Sequence, residues 1–459
     1  LRWKPPTPPV PHPGVADASG FGPECLQFDD DGKLTGSEDC LSLNVWTPAS
    51  LPVFAGRPVL FFIHGGGNVQ GAGSVSIYDG QFLARTFGAV VVTVNYRLSA
   101  LGYLAHPFLD DESPRAVSGN YGILDLVFAL DWVRKNIRSF GGDPARVLVF
   151  GESAGAVDTC TLMASPLAKG LFSAALMQSG GCSQPPLADV EEFGETIVKA
   201  AGCAASNLAF VRECMRAKPA EEIVSAVPPV ILVYASSGQL YGPAVDGWVL
   251  PKSPYDALVD GTHNHVPFVI GANADETSRS VPAMPSVAAY EAAIRLQFSV
   301  FAPLILSQYP AANYESVQKA YIALTTDSRF VCPSRRIARA AAASQREGVF
   351  RYFFTHVLDS SPARNDGAFH GLELPFVFGT LGSIRGFRPS PGEMELSRAM
   401  GEAWFRMAET GRAEVSGITW PEYDPVSDPY LRFGNGLGIE YGVRTENCDF
   451  WDRFVEGPR

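Results

Sequence analysis

The sequence predicts an α/β fold, with a central, mostly parallel sheet flanked by helices and helical insertions over the C-terminal edge of the sheet. Three observations predict it. Strand-like runs alternate with helical patterns along the chain. Several of those runs are continuously apolar rather than alternating, as strands covered on both faces are. One of them, Val147-Leu148-Val149-Phe150, runs into Gly151-Glu152-Ser153-Ala154-Gly155, a G-x-S-x-G pattern suited to a sharp strand-to-helix turn.

Taken in order, residues 1 to 23 are Pro-rich and read as an extended surface arm, because Pro cannot continue a helix or donate to a central strand. Strands are expected at Leu41–Trp46, Val59–Ile63, Val90–Val94, Val147–Phe150, Ala174–Met177, Phe268–Ile270 and Val349–Phe354. From Gly122 to Phe140, Leu124, Phe128, Leu130, Val133, Ile137 and Phe140 keep helical spacing, and Gly141-Gly142 ends the element. Ser390-Pro391-Gly392-Glu393 has capping-box spacing with Pro at the first helical position, and Gly411 closes that helix. The organisation expected is one domain over residues 1–459, with insertions at about 183–265 and 281–345 that roof the sheet edge where sites of such folds lie.

Apolar residues make up 46% of the 459 and charged residues 18%, which supports a large core and excludes global disorder. A net charge of -12 disfavours nucleic acid and anionic membranes as partners. No apolar run approaches the length of a membrane span. The chain opens on Leu1 without a signal peptide and reads as processed or trimmed. Eight cysteines contain no C-x-x-C pair, so a zinc site is not expected. Their even number is compatible with disulfides, and a secreted or periplasmic location follows from that.

Ser153 is the candidate nucleophile. The glycines around it remove Cβ atoms where strand and helix pass close, and the helix N-terminus turns free N–H groups towards any anion formed there. A serine hydroxyl needs a base, usually histidine, held by a carboxylate. On α/β sheets the order is Ser, then Asp or Glu, then His. Of seven histidines, His356 and His370 lie late enough. His356 falls inside the aromatic run Arg351–Val357 and reads as a core residue, whereas His370 lies in the loop Asp366–Gly371 and suits a reachable base. For the acid, spacing alone leaves Asp275 and Glu276 open. The run Val59–Ile63 is followed by His64-Gly65-Gly66-Gly67, a loop whose N–H groups at Gly66 and Gly67, with that of Ala154, supply an oxyanion hole. A phosphate loop would need a following Gly-Lys-Ser/Thr, which is absent.

With these residues in view, the chain resembles a type-B carboxylesterase, the cholinesterase-like family of α/β-hydrolases. The matching blocks are Ser37–Trp46, the glycine loop, Asn95-Tyr96-Arg97, Gly119–Trp132, Phe140–Pro144, the elbow, Gln178-Ser179-Gly180, Asp275-Glu276 and His370–Glu373. The resemblance implies the α/β-hydrolase fold, Ser153 as nucleophile, Glu276 as acid and His370 as base. It gives supporting roles to Glu152, Ser179 and Glu373. It also implies two buried ion pairs, Arg2 with Glu38 and Arg97 with Asp143, and disulfides Cys25–Cys40, Cys203–Cys214 and Cys332–Cys448. Cys160 and Cys182 are left as free thiols or an extra bridge.

The departures bear on the substrate. The loop between Cys25 and Cys40 is short and lacks the Trp that binds quaternary ammonium, which argues against choline esters. Asn68 stands where the family has an aromatic residue, so a smaller, more polar pocket wall is expected there. Gln239, Leu240 and Tyr241 fall in the acyl-pocket segment. The family's first block, before Leu1-Arg2-Trp3, has no counterpart, and a small N-terminal sheet is expected to be missing. The function expected is hydrolysis of short- to medium-chain carboxylic esters through an acyl-enzyme. No metal or cofactor is expected, the partner being a small-molecule ester and the chain a monomer or homodimer. The alternatives are hydrolysis of amides, carbamates or longer lipid esters, or a non-catalytic binding module.

Overall fold

The computed structural model describes residues 2–10, 13–49, 56–235, 241–360, 362–415 and 417–456. Gln239 and Leu240 lie outside the described residues. Nine strands form one sheet: β1 (Leu43–Trp46), β2 (Arg57–Ile63), β3 (Val90–Val94), β4 (Gly142–Glu152), β5 (Ala174–Gln178), β6 (Phe268–Asn273), β7 (Val349–Phe354), β8 (Pro429–Gly434) and β9 (Gly436–Tyr441). Their order is β9-β8-β7-β6-β5-β4-β2-β3-β1. The seven strands from β3 to β8 in that order are parallel, and the two edge strands, β1 and β9, run antiparallel to their neighbours.

The continuous apolar runs are explained by cover on both faces. In β2 the side chains Val59, Phe61 and Ile63 point into one core with Val147, Val149 and Ile270, while Leu60 and Phe62 point into another with Leu148, Phe150 and Trp404. Strand alternation therefore feeds two cores at once. Helix α1 (Tyr121–Asn136) covers the first, and α3 (Pro391–Thr410) the second. The capping box at Ser390 is made in both directions, and Gly411 closes α3 at φ +67°, a conformation that favours Gly. Between them, α2 (Ala154–Ala164) leaves the end of β4 directly after Ser153.

One run, Val287–Asn313, is long and apolar enough by length and composition to cross a membrane. It is interrupted after Phe298, where Ser299 takes φ +48°, and again after Gln308, and Tyr290, Ile294, Ala302 and Ile305 pack into a satellite core with Trp451 and Phe353.

Of the expected ion pairs, one is present and one is corrected. Arg2 does pair with Glu38, at 2.6 Å, though the Glu38 side chain is partly exposed. Arg97 pairs instead with Asp125, at 2.7 Å, and both are buried. Asp125 sits in the second turn of α1, facing the turn that follows β3, whereas the Asp143 carboxylate caps the N–H of Ala145 and pairs with Arg146 three residues on. Cys160 and Cys182 form a fourth disulfide alongside Cys25–Cys40, Cys203–Cys214 and Cys332–Cys448, and no free cysteine is left.

Candidate active site

Ser153 stands between β4 and α2 at φ +57°, ψ -120°, a strained backbone for a residue with a side chain. Close packing imposes it. A Cβ on Gly151 would lie 2.4 Å from the Gly155 carbonyl, and one on Gly155 would lie 2.1 Å from the Ile63 carbonyl oxygen. Only glycines let β2, β4 and the helix start meet at that spacing.

The glycine loop lies against the same turn. A Cβ on Gly65 would fall 3.0 Å from Ser153 Cβ and 2.8 Å from the Glu152 carbonyl oxygen. Gly66 and Gly67 take φ +91° and +64°. Among the described residues, the N–H groups of Gly66, Gly67 and Ala154 donate to no protein acceptor. The Tyr96 hydroxyl, which donates to the carbonyl of His64 and lies 3.1 Å from Asn68 Oδ1, ties both ends of the loop down. His64 stacks on Tyr96, and burial lowers its pKa to about 4, so it is a neutral packing residue.

Glu276 and His370 meet from two different connections. The Glu276 Oε2 lies 2.6 Å from His370 Nδ1, and its Oε1 accepts the Asn273 N–H at 2.7 Å. The His370 N–H donates to the Glu276 carbonyl, which fixes the two backbones in register. His370 Nε2 makes no hydrogen bond among the described residues and lies 3.2 Å from Oε1 of Glu152, the residue before Ser153. Asp275, left open by spacing, turns away and accepts the Ala368 N–H, so it braces the loop carrying His370. His356 is buried between Asn435 and Glu393.

Three buried carboxylates surround the imidazole. Burial opposes a charge on His370, but Glu152 and Glu276 outweigh it and raise its pKa to about 9. Burial raises Glu152 to about 8 and Glu373 to about 6, with the neighbouring glutamates adding to it.

A continuous hydrogen-bonded brace runs through Glu373. Ser153 N–H donates to the Gln178 carbonyl, and Gln178 Nε2 donates to Glu373 Oε1. Asn273 Nδ2 donates both to Glu373 Oε2 and to the Phe369 carbonyl beside His370. Trp404 Nε1 holds the remaining oxygen of the Gln178 amide. Ser179 takes φ +55° and anchors to the Gly271 carbonyl, while its Oγ has no partner among the described residues. Asn273, Trp404 and Tyr96 escape sequence reasoning as site residues; only their place in or beside motif blocks hints at them.

Two pocket expectations change. Asn68 is fully buried at φ +59°, with Nδ2 3.4 Å from Asp158 Oδ1, so its amide points into the protein and forms no polar wall. Tyr241 is also buried: its ring packs on Phe193 and its hydroxyl donates to the Val227 carbonyl. A separate cavity of about 710 Å³ opens between the N-terminal arm and α1, with Trp3, Leu124, Phe128 and Trp248 in its wall; Ser153, Glu276 and His370 do not line it.

Parallel sheet, elbow and glycine loop define an α/β-hydrolase. Residues 1–451 match the carboxylesterase family, and the chain belongs to it as a type-B carboxylesterase. It is 36% identical over 457 residues to the fumonisin B1 esterase of Sphingopyxis macrogoltabida, covering 96% of this chain and 82% of that protein. It is 32% identical to the para-nitrobenzyl esterase of Bacillus subtilis, covering 97% and 90%. A solved structure of PNB esterase superposes with a TM-score of 0.83 at 32% identity, over 98% of this chain and 92% of that one.

Proposed function

We propose that this carboxylesterase cleaves short- to medium-chain esters through an acyl-enzyme on Ser153. The observation that carries the reading is the 2.6 Å contact of His370 Nδ1 with Glu276, which leaves Nε2 as the nitrogen free to take a proton on the elbow side. His370 accepts the Ser153 proton as Oγ bonds to the carbonyl carbon, and Glu276 offsets the imidazolium charge. The N–H groups of Gly66, Gly67 and Ala154 hold the oxyanion. Collapse breaks the ester C–O bond, and His370 returns the proton to the departing alcohol. Water, deprotonated by His370, then attacks the acyl-enzyme and releases the acid and Ser153.

Two ester-cleaving relatives support the ester class. The four disulfides suit an oxidising compartment, so we place the enzyme outside the cytoplasm, secreted or periplasmic. A series of p-nitrophenyl esters tests the substrate range. Each methylene that finds a pocket is worth about 1–3 kcal/mol, so kcat/KM should climb and then fall within short to medium chains; an optimum beyond about ten acyl carbons overturns the preference.

A further inference from the structure

We propose that Asp158 and Asn68 are positioning residues for the oxyanion hole, joined by a buried hydrogen bond that fixes the Gly66 and Gly67 N–H groups relative to the nucleophile helix. The inference rests on the ester-hydrolase reading and adds two residues to its machinery.

Gly66, Gly67 and Asn68 take φ +91°, +64° and +59°, three consecutive residues with positive φ. A backbone so held persists only when its surroundings over-determine it. At the His64 end the anchor is the Tyr96 hydroxyl. At the Asn68 end there are three: the carbonyl accepts the Ser99 N–H at 2.8 Å, Oδ1 lies 3.1 Å from the Tyr96 hydroxyl, and Nδ2 lies 3.4 Å from Asp158 Oδ1. A Cβ on Gly242 would come 3.5 Å from Nδ2, so the chain after Tyr241 packs against that amide. Tyr96 and Ser99 belong to the turn after β3. Asp158 alone among these partners comes from α2, the helix that starts directly after Ser153, so its hydrogen bond ties the donor loop to the nucleophile's own helix.

Asp158 is fully buried, and among the described residues its Oδ2 has no hydrogen-bond partner. Burial raises its pKa, which keeps the side chain a neutral acid. The neighbouring hydroxyls of Thr159 and Thr161 bond back to the carbonyls of Gly155 and Val157 within the helix, whereas Asp158 reaches out of it to the loop. An apolar residue would fill the same place without burying a polar group. What the carboxyl adds is an acceptor for the Asn68 amide, the side chain next to Gly67.

The test pairs turnover of p-nitrophenyl butyrate with inhibition by an alkyl trifluoromethyl ketone, whose adduct with Ser153 places an oxyanion in the same hole. Asp158→Ala should lower kcat roughly 10- to 100-fold, part of what loss of a whole donor costs, raise Ki for the ketone by a similar factor and leave KM within about threefold. Asp158→Asn keeps a neutral acceptor and should restore both kcat and Ki. Asn68→Gly keeps the positive φ and removes the amide, so it should show the same split, and the double variant should be no slower than the slower single one. A fall in melting temperature with kcat and Ki unchanged overturns the positioning role, as do losses that multiply in the double variant or an Asp158→Asn as slow as Asp158→Ala. Should Asp158→Ala fail to fold, Asn68→Gly decides alone, and unchanged kcat and Ki in it overturn the inference. Each of these results leaves ester hydrolysis standing; absence of turnover by the wild type overturns the reading beneath it.

Discussion

The carboxylate of Glu152 lies 3.2 Å from Nε2 of His370, so the imidazole stands between two glutamates, with Glu276 on its other nitrogen. Glu152 is first among the charges that lift the His370 pKa to about 9 against the cost of burial. A general base works only when neutral, so kcat/KM should rise with pH through that value and fall below it. Glu152→Gln removes the largest of the raising charges and should shift the acid limb to lower pH. A pH–rate profile with p-nitrophenyl butyrate checks this; an unmoved limb shows that Glu152 does not tune the base.

Gly65 is the glycine of the loop that touches the elbow. A Cβ there meets the Glu152 backbone and Ser153 Cβ at 2.8 and 3.0 Å, so Gly65→Ala must push loop and nucleophile apart. Displacing the donors should cost kcat on the order of 100-fold or more, the effect of losing one oxyanion donor. Steady-state kinetics on the folded variant measures it, and near-normal kcat would place the oxyanion site elsewhere.

The corrected ion pair separates two aspartates. Asp125→Ala strands a buried Arg97 and should destabilise the fold by about 3–5 kcal/mol. Asp143→Ala breaks a partly exposed pair and should cost less than about 1 kcal/mol. Urea denaturation of the two variants gives the comparison, and equal losses would contradict the Arg97–Asp125 pairing.

Alkylation under denaturing, non-reducing conditions should modify none of the eight cysteines, and all of them after reduction. Cys332–Cys448 closes the longest loop, with a separation of 116 residues, and replacing both by Ser should cost roughly 5 kcal/mol by the loop-entropy argument. Peptide mapping would expose any thiol that labels before reduction.

The sequence makes the centre of the sheet legible and its margins obscure. Strands Val90–Val94 and Val349–Phe354 are β-branched or aromatic at every position but Arg351, and the structure sets them at those bounds. Strand Gly142–Glu152 begins five residues before its apolar run, because Gly142-Asp143-Pro144 reads as a turn. The edge hairpin Pro429–Gly434 and Gly436–Tyr441 is missed: Pro opens it and three glycines dilute its strand character. At the site, Glu276 and His370, read from motif and chain order, meet in the structure. What depends on rotamer or on a long-range partner was not legible, as with the inward amide of Asn68 and the choice of Asp125 by Arg97. No local pattern encodes which distant side chain a buried group will meet.

The central claim is that Ser153 forms the acyl-enzyme, and turnover of p-nitrophenyl butyrate by Ser153→Ala tests it most directly. Loss of the catalytic hydroxyl should lower kcat by at least about 10⁴-fold while circular dichroism and melting stay as in the wild type. Turnover by Ser153→Ala within about tenfold of the wild type would contradict the assignment and, with it, the roles given to His370, Glu276 and the glycine loop.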